Sequence, residues 1–148
     1  MSAHDRRPVR LASVAAVAGA VALLATGCSP IQQQIGDAWA VTYEVRVDRP
    51  VGADLTGVRV EGAERRGAAP ETRDLGSVET GTAADGGSRW TRESVVLAEQ
   101  RASVRATPEE GATATCRILL VGEREIATET SAAPGRPVRC SVQTPAFD

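Results

Sequence analysis

The sequence predicts an all-β protein: a small immunoglobulin-like sandwich of about seven strands with one disulfide, following an N-terminal signal or anchor segment. Three observations carry that expectation. Apolar residues recur at every second position through several short runs, the period of a half-buried strand. Gly- and Pro-containing turns separate seven or eight such runs at intervals of roughly 10–15 residues, the spacing of a sandwich or barrel. No stretch after the N-terminal segment reads as a convincing amphipathic helix.

The clearest strand begins at Trp39. Trp39, Val41, Tyr43, Val45 and Val47 fall on one face, Ala40, Thr42, Glu44, Arg46 and Asp48 on the other, and Pro50 stops the run. Asp54 to Glu61 repeats the pattern more weakly through Val58 and Val60, and Arg73 to Glu79 offers Leu75 and Val78. Gly81 to Ser88 is a loop by composition. Trp90–Ala98 and Arg101–Thr107 follow, the latter alternating Ala102, Val104 and Ala106 against arginine and serine. Ala112, Ala114, Cys116, Ile118 and Leu120 share one parity before a turn at Gly122. Ile126 and Thr128 return, Ala133-Pro134-Gly135 breaks the chain, and Val138, Cys140 and Val142 finish it.

Cys116 and Cys140 each lie on the apolar parity of their strand, so both thiols are expected to face the core. Outside the cytoplasm an even pair reads as a disulfide. Closing a loop of about 25 residues contributes roughly 3–3.5 kcal/mol on the chain-entropy estimate. An immunoglobulin domain proper places a Trp between its cysteines; here Trp39 and Trp90 both precede Cys116.

Export is read from the N-terminus. A basic stretch (Arg6, Arg7, Arg10) and an apolar run from Leu11 to Leu24 lead through small residues into Cys28, the layout of a secretory signal peptide. Leu24-Ala25-Thr26-Gly27-Cys28 resembles the lipobox of bacterial lipoproteins, with Ala25 where Leu is usual. That resemblance implies lipidation and cleavage at Cys28. Residues 1–27 are then the signal peptide, 28–37 a tether and 38–148 the extracytoplasmic domain. The alternative is an uncleaved single-pass helix, for which the apolar run is short of the roughly 20 residues that span a bilayer. A coil of nine residues would hold the domain about 15–20 Å from its anchor.

Composition narrows function. Beyond residue 27 there are 14 arginines against 18 carboxylates, no lysine and no histidine. A weakly acidic chain without a clustered basic face is a poor fit to nucleic acid. Without imidazole, Ser-His-Asp and Cys-His catalysis are unavailable, and structural zinc loses its usual ligands. Glu109-Glu110, between Pro108 and Gly111, is the one obvious carboxylate pair and reads as a solvated turn. The expectation is therefore a non-enzyme with no catalytic residues, no cofactor and no metal.

Val41-Thr42-Tyr43-Glu44-Val45, Ala53-Asp54-Leu55, Trp90, and Thr115-Cys116-Arg117-Ile118 with Cys140 resemble, in order and spacing, the MmpS family. These are small accessory proteins of actinobacterial MmpL transporters. The resemblance covers about Trp39 to Val142. It implies an extracytoplasmic β-sandwich with a disulfide, a partner transporter of the resistance-nodulation-division (RND) class exporting lipids or siderophores, and no catalytic residues. The family usually carries a transmembrane helix where this chain has its lipobox-like segment. Arg65, Arg66 and Asp85 of the Gly81–Ser88 loop are the candidate partner contacts, since exposed arginines and loops are common where partners dock. The other function kept open is a free-standing lipoprotein binding a lipid or cell-wall ligand.

Overall fold

A computed structural model describes residues 37–49 and 52–147 of the chain. The expected signal peptide, Cys28 and the expected tether up to residue 36 lie outside the described residues. Within them the chain forms nine strands and no helix: β1 (Ala38–Val47), β2 (Asp54–Gly62), β3 (Glu71–Glu79), β4 (Gly81–Thr82), β5 (Ser88–Leu97), β6 (Arg101–Pro108), β7 (Ala114–Leu120), β8 (Arg124–Thr130) and β9 (Val138–Gln143). Neighbouring strands are antiparallel throughout. They build a sandwich of a five-stranded sheet, β4-β5-β1-β7-β8, and a four-stranded sheet, β3-β2-β6-β9.

Of the nine strands, only β4 has no counterpart among the seven or eight runs read from the sequence, and β3 is the faintest of those that do. β4 is a two-residue strand inside the segment expected to be all loop, where Gly81 and Thr82 pair with Arg89 and Ser88. β3 is an edge strand whose side chains are exposed or half-buried throughout, so its apolar signal is faint.

Alternation along β1 and β7 is what fills the core. Val41, Tyr43, Val45 and Val47 face Ala114, Cys116, Ile118 and Leu120 on the neighbouring strand, all on the inner face of the five-stranded sheet. Leu55, Val58, Val60, Ala102, Val104, Ala106, Val138 and Cys140 answer from the other sheet. Each fully buried Val, Leu or Ile contributes roughly 1.5–3 kcal/mol, and the many alanines much less. In β2 the inward residues run Leu55, Val58, Val60, a step of three and then two. A β-bulge between Thr56 and Arg59 inserts the extra residue and restores the parity.

Three links tie the sheets together. The Cys116–Cys140 disulfide joins β7 to β9 with both residues fully buried and Cα atoms 5.9 Å apart, within disulfide reach. The Tyr43 hydroxyl on β1 donates across the interior to the Glu61 carbonyl on β2. Burial pushes the Tyr43 phenol well above its ordinary range.

The third link is a crossing of the backbone. Beyond Gly62 the chain leaves one sheet for the other, and Ala63 exchanges two 2.8 Å backbone hydrogen bonds with Val95 of β5. Gly62 has φ +149°, and a Cβ there would lie 2.4 Å from Ser94 Oγ, so the crossing needs glycine.

The outer face of the five-stranded sheet holds a buried charge that alternation marks as solvated. Glu44 is 5% exposed. Its carboxylate accepts from Arg46 Nε at 2.8 Å and Arg117 Nη1 at 3.2 Å, and Arg89 Nη1 lies 3.7 Å away. Arg117 also pairs with Glu125, and Arg46 with Asp85. Long arginine stems from β1 itself and from the flanking strands cover the short central carboxylate.

Candidate functional site

β1 runs the length of the sandwich. Ten residues at about 3.3 Å each make it about 30 Å long, so its ends define two poles. The chain from the N-terminal segment enters at the pole marked by Ala38, called proximal below. The ends of β5 and β7, the start of β8, the β2–β3 turn and the C-terminal tail all gather there.

The tail is fastened at this pole. Thr144 is buried, and its hydroxyl donates to the Leu97 carbonyl at 2.6 Å. Trp39 Nε1 donates to the Pro145 carbonyl at 2.8 Å. The Phe147 ring stacks on the Trp39 indole with centroids 4.1 Å apart and planes 16° from parallel. Such a pair adds roughly 0.5–1.5 kcal/mol beyond its buried area.

The β7–β8 turn stands at the same pole. Val121 N donates to the Ala40 carbonyl at 2.8 Å, extending the β7 register by one residue, and Glu123 N donates to the Leu120 carbonyl at 3.1 Å. Val121 has φ 53° and Gly122 φ 75°. Two successive left-handed residues make the primed turn that Asn-Gly favours, and a β-branched residue in the first place is strained. Val121 is 66% exposed and Phe147 42%; they are the two exposed large hydrophobic residues among the described ones.

A groove of about 430 Å³ opens at the same pole between the end of β5 and the neighbouring ends of β2, β3 and β6. Glu61 on its wall accepts two 2.9 Å hydrogen bonds from the Arg101 guanidinium. Nearby, the hydrogen bond from Arg73 holds the Glu64 carboxyl below the usual carboxylate range. The charged residues of its wall, Glu61, Glu71 and Arg101, thus already have ion-pair partners.

The residues expected to meet a partner divide between the poles. Arg65 and Arg66 occupy the proximal β2–β3 turn, both exposed, and Arg66 Nη2 donates to the Ala38 carbonyl at 3.2 Å. Asp85 is exposed at the far pole, where its carboxylate accepts from Arg46 Nη1 at 3.0 Å. The eight residue steps along β1 from Ala38 to Arg46 span about 26 Å. Arg65, Arg66 and Asp85 therefore do not form one patch. Glu109 and Glu110 are both exposed in the β6–β7 turn, where the Glu109 carbonyl accepts from Ala112 N at 3.1 Å. Among the described residues no three His, Cys, Asp or Glu side chains gather as a metal site.

Sequence reasoning did not single out Val121 or Phe147. A signal existed for the first, since Val stands before Gly122 in a hairpin turn where Asn or Asp is favoured. For the second the signal was slight: Phe147 is the one phenylalanine of the chain. Compared with known proteins, the chain matches no family model and no curated protein.

Proposed function

We propose that this protein is a membrane-anchored, extracytoplasmic accessory module of an RND-type, MmpL-like exporter of lipids or siderophores. The carrying observation is the order of features in one short chain: an export signal ending in a lipobox-like Cys28, nine residues of spacer, then a single β domain with the MmpS-like series of residues. The anchor restricts partners to those in or beside the membrane. Arg65 and Arg66 at one pole and Asp85 at the other are the contacts this reading offers. No residue is assigned a catalytic role.

The test is a pull-down of the full-length protein from native membranes. A large multi-span transporter recovered with it supports the reading, and its absence from a folded, membrane-bound bait counts against it. Cys28→Ala is expected to leave a heavier, unprocessed precursor. The proximal groove favours a second reading, a free-standing lipoprotein that binds a lipid or cell-wall ligand. Lipid enriched with the purified protein in place of a transporter selects that alternative.

A further inference from the structure

We propose that the proximal pole of the sandwich docks directly on the lipid surface, with Val121 and Phe147 inserted at the bilayer interface and the far pole held away from it. The inference rests on the anchored reading above and adds an orientation to it.

Two independent observations point to this pole. The two exposed large hydrophobic residues among those described are both tied to the first residues of β1, at this end of the sandwich. Val121 is hydrogen-bonded to Ala40, and Phe147 is stacked on Trp39, the residue before it. Val121 moreover occupies a left-handed backbone position that a β-branched side chain disfavours, and it points its side chain away from the core. Strain that brings the fold nothing is characteristic of functional positions.

The occupant follows from the chain outside the domain. Asp37 is nine residues from Cys28, which limits the pole to at most about 30 Å from the lipidated residue even at full extension. A pole so tethered meets the interface at high effective concentration, so two side chains suffice to bias its orientation. Aromatic and aliphatic side chains are favoured at that depth. Charge does not compete with this contact. Glu61 and Glu64 are paired with Arg101 and Arg73, and Asp37, Glu99 and Glu123 at the pole offset Arg65, Arg66 and Arg124, so the docking is expected to depend little on anionic lipid or on salt.

The two tryptophans of the chain are natural probes. Trp39 is at the docking pole, whereas Trp90 pairs with Val45 some six residues along β1, about 20 Å further away. The full-length lipidated protein is reconstituted in phosphatidylethanolamine–phosphatidylglycerol vesicles that carry a nitroxide on a fraction of the lipid headgroups. Trp90→Phe isolates Trp39, and the Trp90 signal is taken as the difference from the protein carrying both, because Trp39 holds the Phe147 ring and is left in place. The expected result is Trp39 emission quenched at least about twofold more than Trp90 over that separation. Val121→Asn, which suits the turn, and Phe147→Ser should each bring the two closer while the protein still floats with the vesicles. Equal quenching of the tryptophans in floating protein, or a ratio unmoved by both substitutions, overturns the docking and leaves the anchor intact. Protein that fails to float overturns the anchored reading and the docking together.

Discussion

Replacing Cys116 and Cys140 together by alanine removes the covalent link between the two sheets, and its cost follows from the chain. The cysteines are 24 residues apart in sequence and fully buried. Freeing a loop of about 25 residues returns roughly 12 cal/mol/K to the unfolded chain, or about 3.5 kcal/mol at 25 °C. A domain of about 110 residues has an unfolding entropy near 0.23 kcal/mol/K, so the melting temperature should fall by about 15 °C. The loss is large against a typical stability of 5–15 kcal/mol, and the alanine-rich core has little in reserve. Urea denaturation of both proteins, followed by tryptophan fluorescence and far-UV circular dichroism, measures the difference. A loss below about 1 kcal/mol would refute the reasoning, by showing that the unfolded chain is already constrained or that the native bond is strained. In the native protein the buried sulfurs should also resist mild reductant until the sandwich opens.

Val121→Asn should raise stability by roughly 1 kcal/mol, because Asn-Gly suits the primed turn that Val121 strains; thermal denaturation reads the sign. Glu44→Gln should lower stability by about 1–2 kcal/mol in urea titration, less than for a sealed ion pair because its arginines remain partly exposed and two keep other partners. Tyr43 is the single tyrosine, so its phenolate absorbance reports one site. Burial raises its folded-state pKa, so the stability it contributes is complete below its unfolded value near 10 and is lost as pH rises above that. Phenolate absorbance should therefore appear only as the protein unfolds in alkali. At the acid end, Glu64 is lowered chiefly by its hydrogen bond from Arg73, and Asp74 chiefly by the Gly76 amide and then Arg59. Their contribution is present above the ordinary carboxylate range and is lost as pH falls through the lowered values, so Glu64→Gln with Asp74→Asn should flatten the acid limb of a stability–pH curve.

Period-two alternation made most of the sandwich legible before any coordinates, because a strand buried on one face must alternate. β1 could be read residue by residue, and the parity of Cys116 and Cys140 placed both thiols in the core. The pattern failed where geometry departs from that rule. At β2 the bulge makes Leu55 and Val58 look out of phase, although both point inward. β3 is an edge strand with no well-buried side chain, so it carries little apolar signal. The burial of Glu44 was hidden because, besides Arg46 of its own strand, it depends on Arg89 and Arg117 from neighbouring strands whose register no local pattern reveals. The candidate site was harder still. Arg65, Arg66 and Asp85 are exposed as expected, but only the run of β1 shows that they face opposite poles. Val121 and Phe147 stand 26 residues apart in sequence and share a pole only because β7 and the C-terminal tail both end beside the start of β1.

Photocrosslinking in native membranes tests the accessory reading most directly. A crosslinking residue at position 65 leaves the Arg66 clamp on Ala38 intact, and one at position 85 probes the far pole. The account predicts that at least one position captures a multi-span exporter, identified by mass spectrometry, while the domain remains folded. Recovery of lipid alone, or of nothing, from both positions would contradict it.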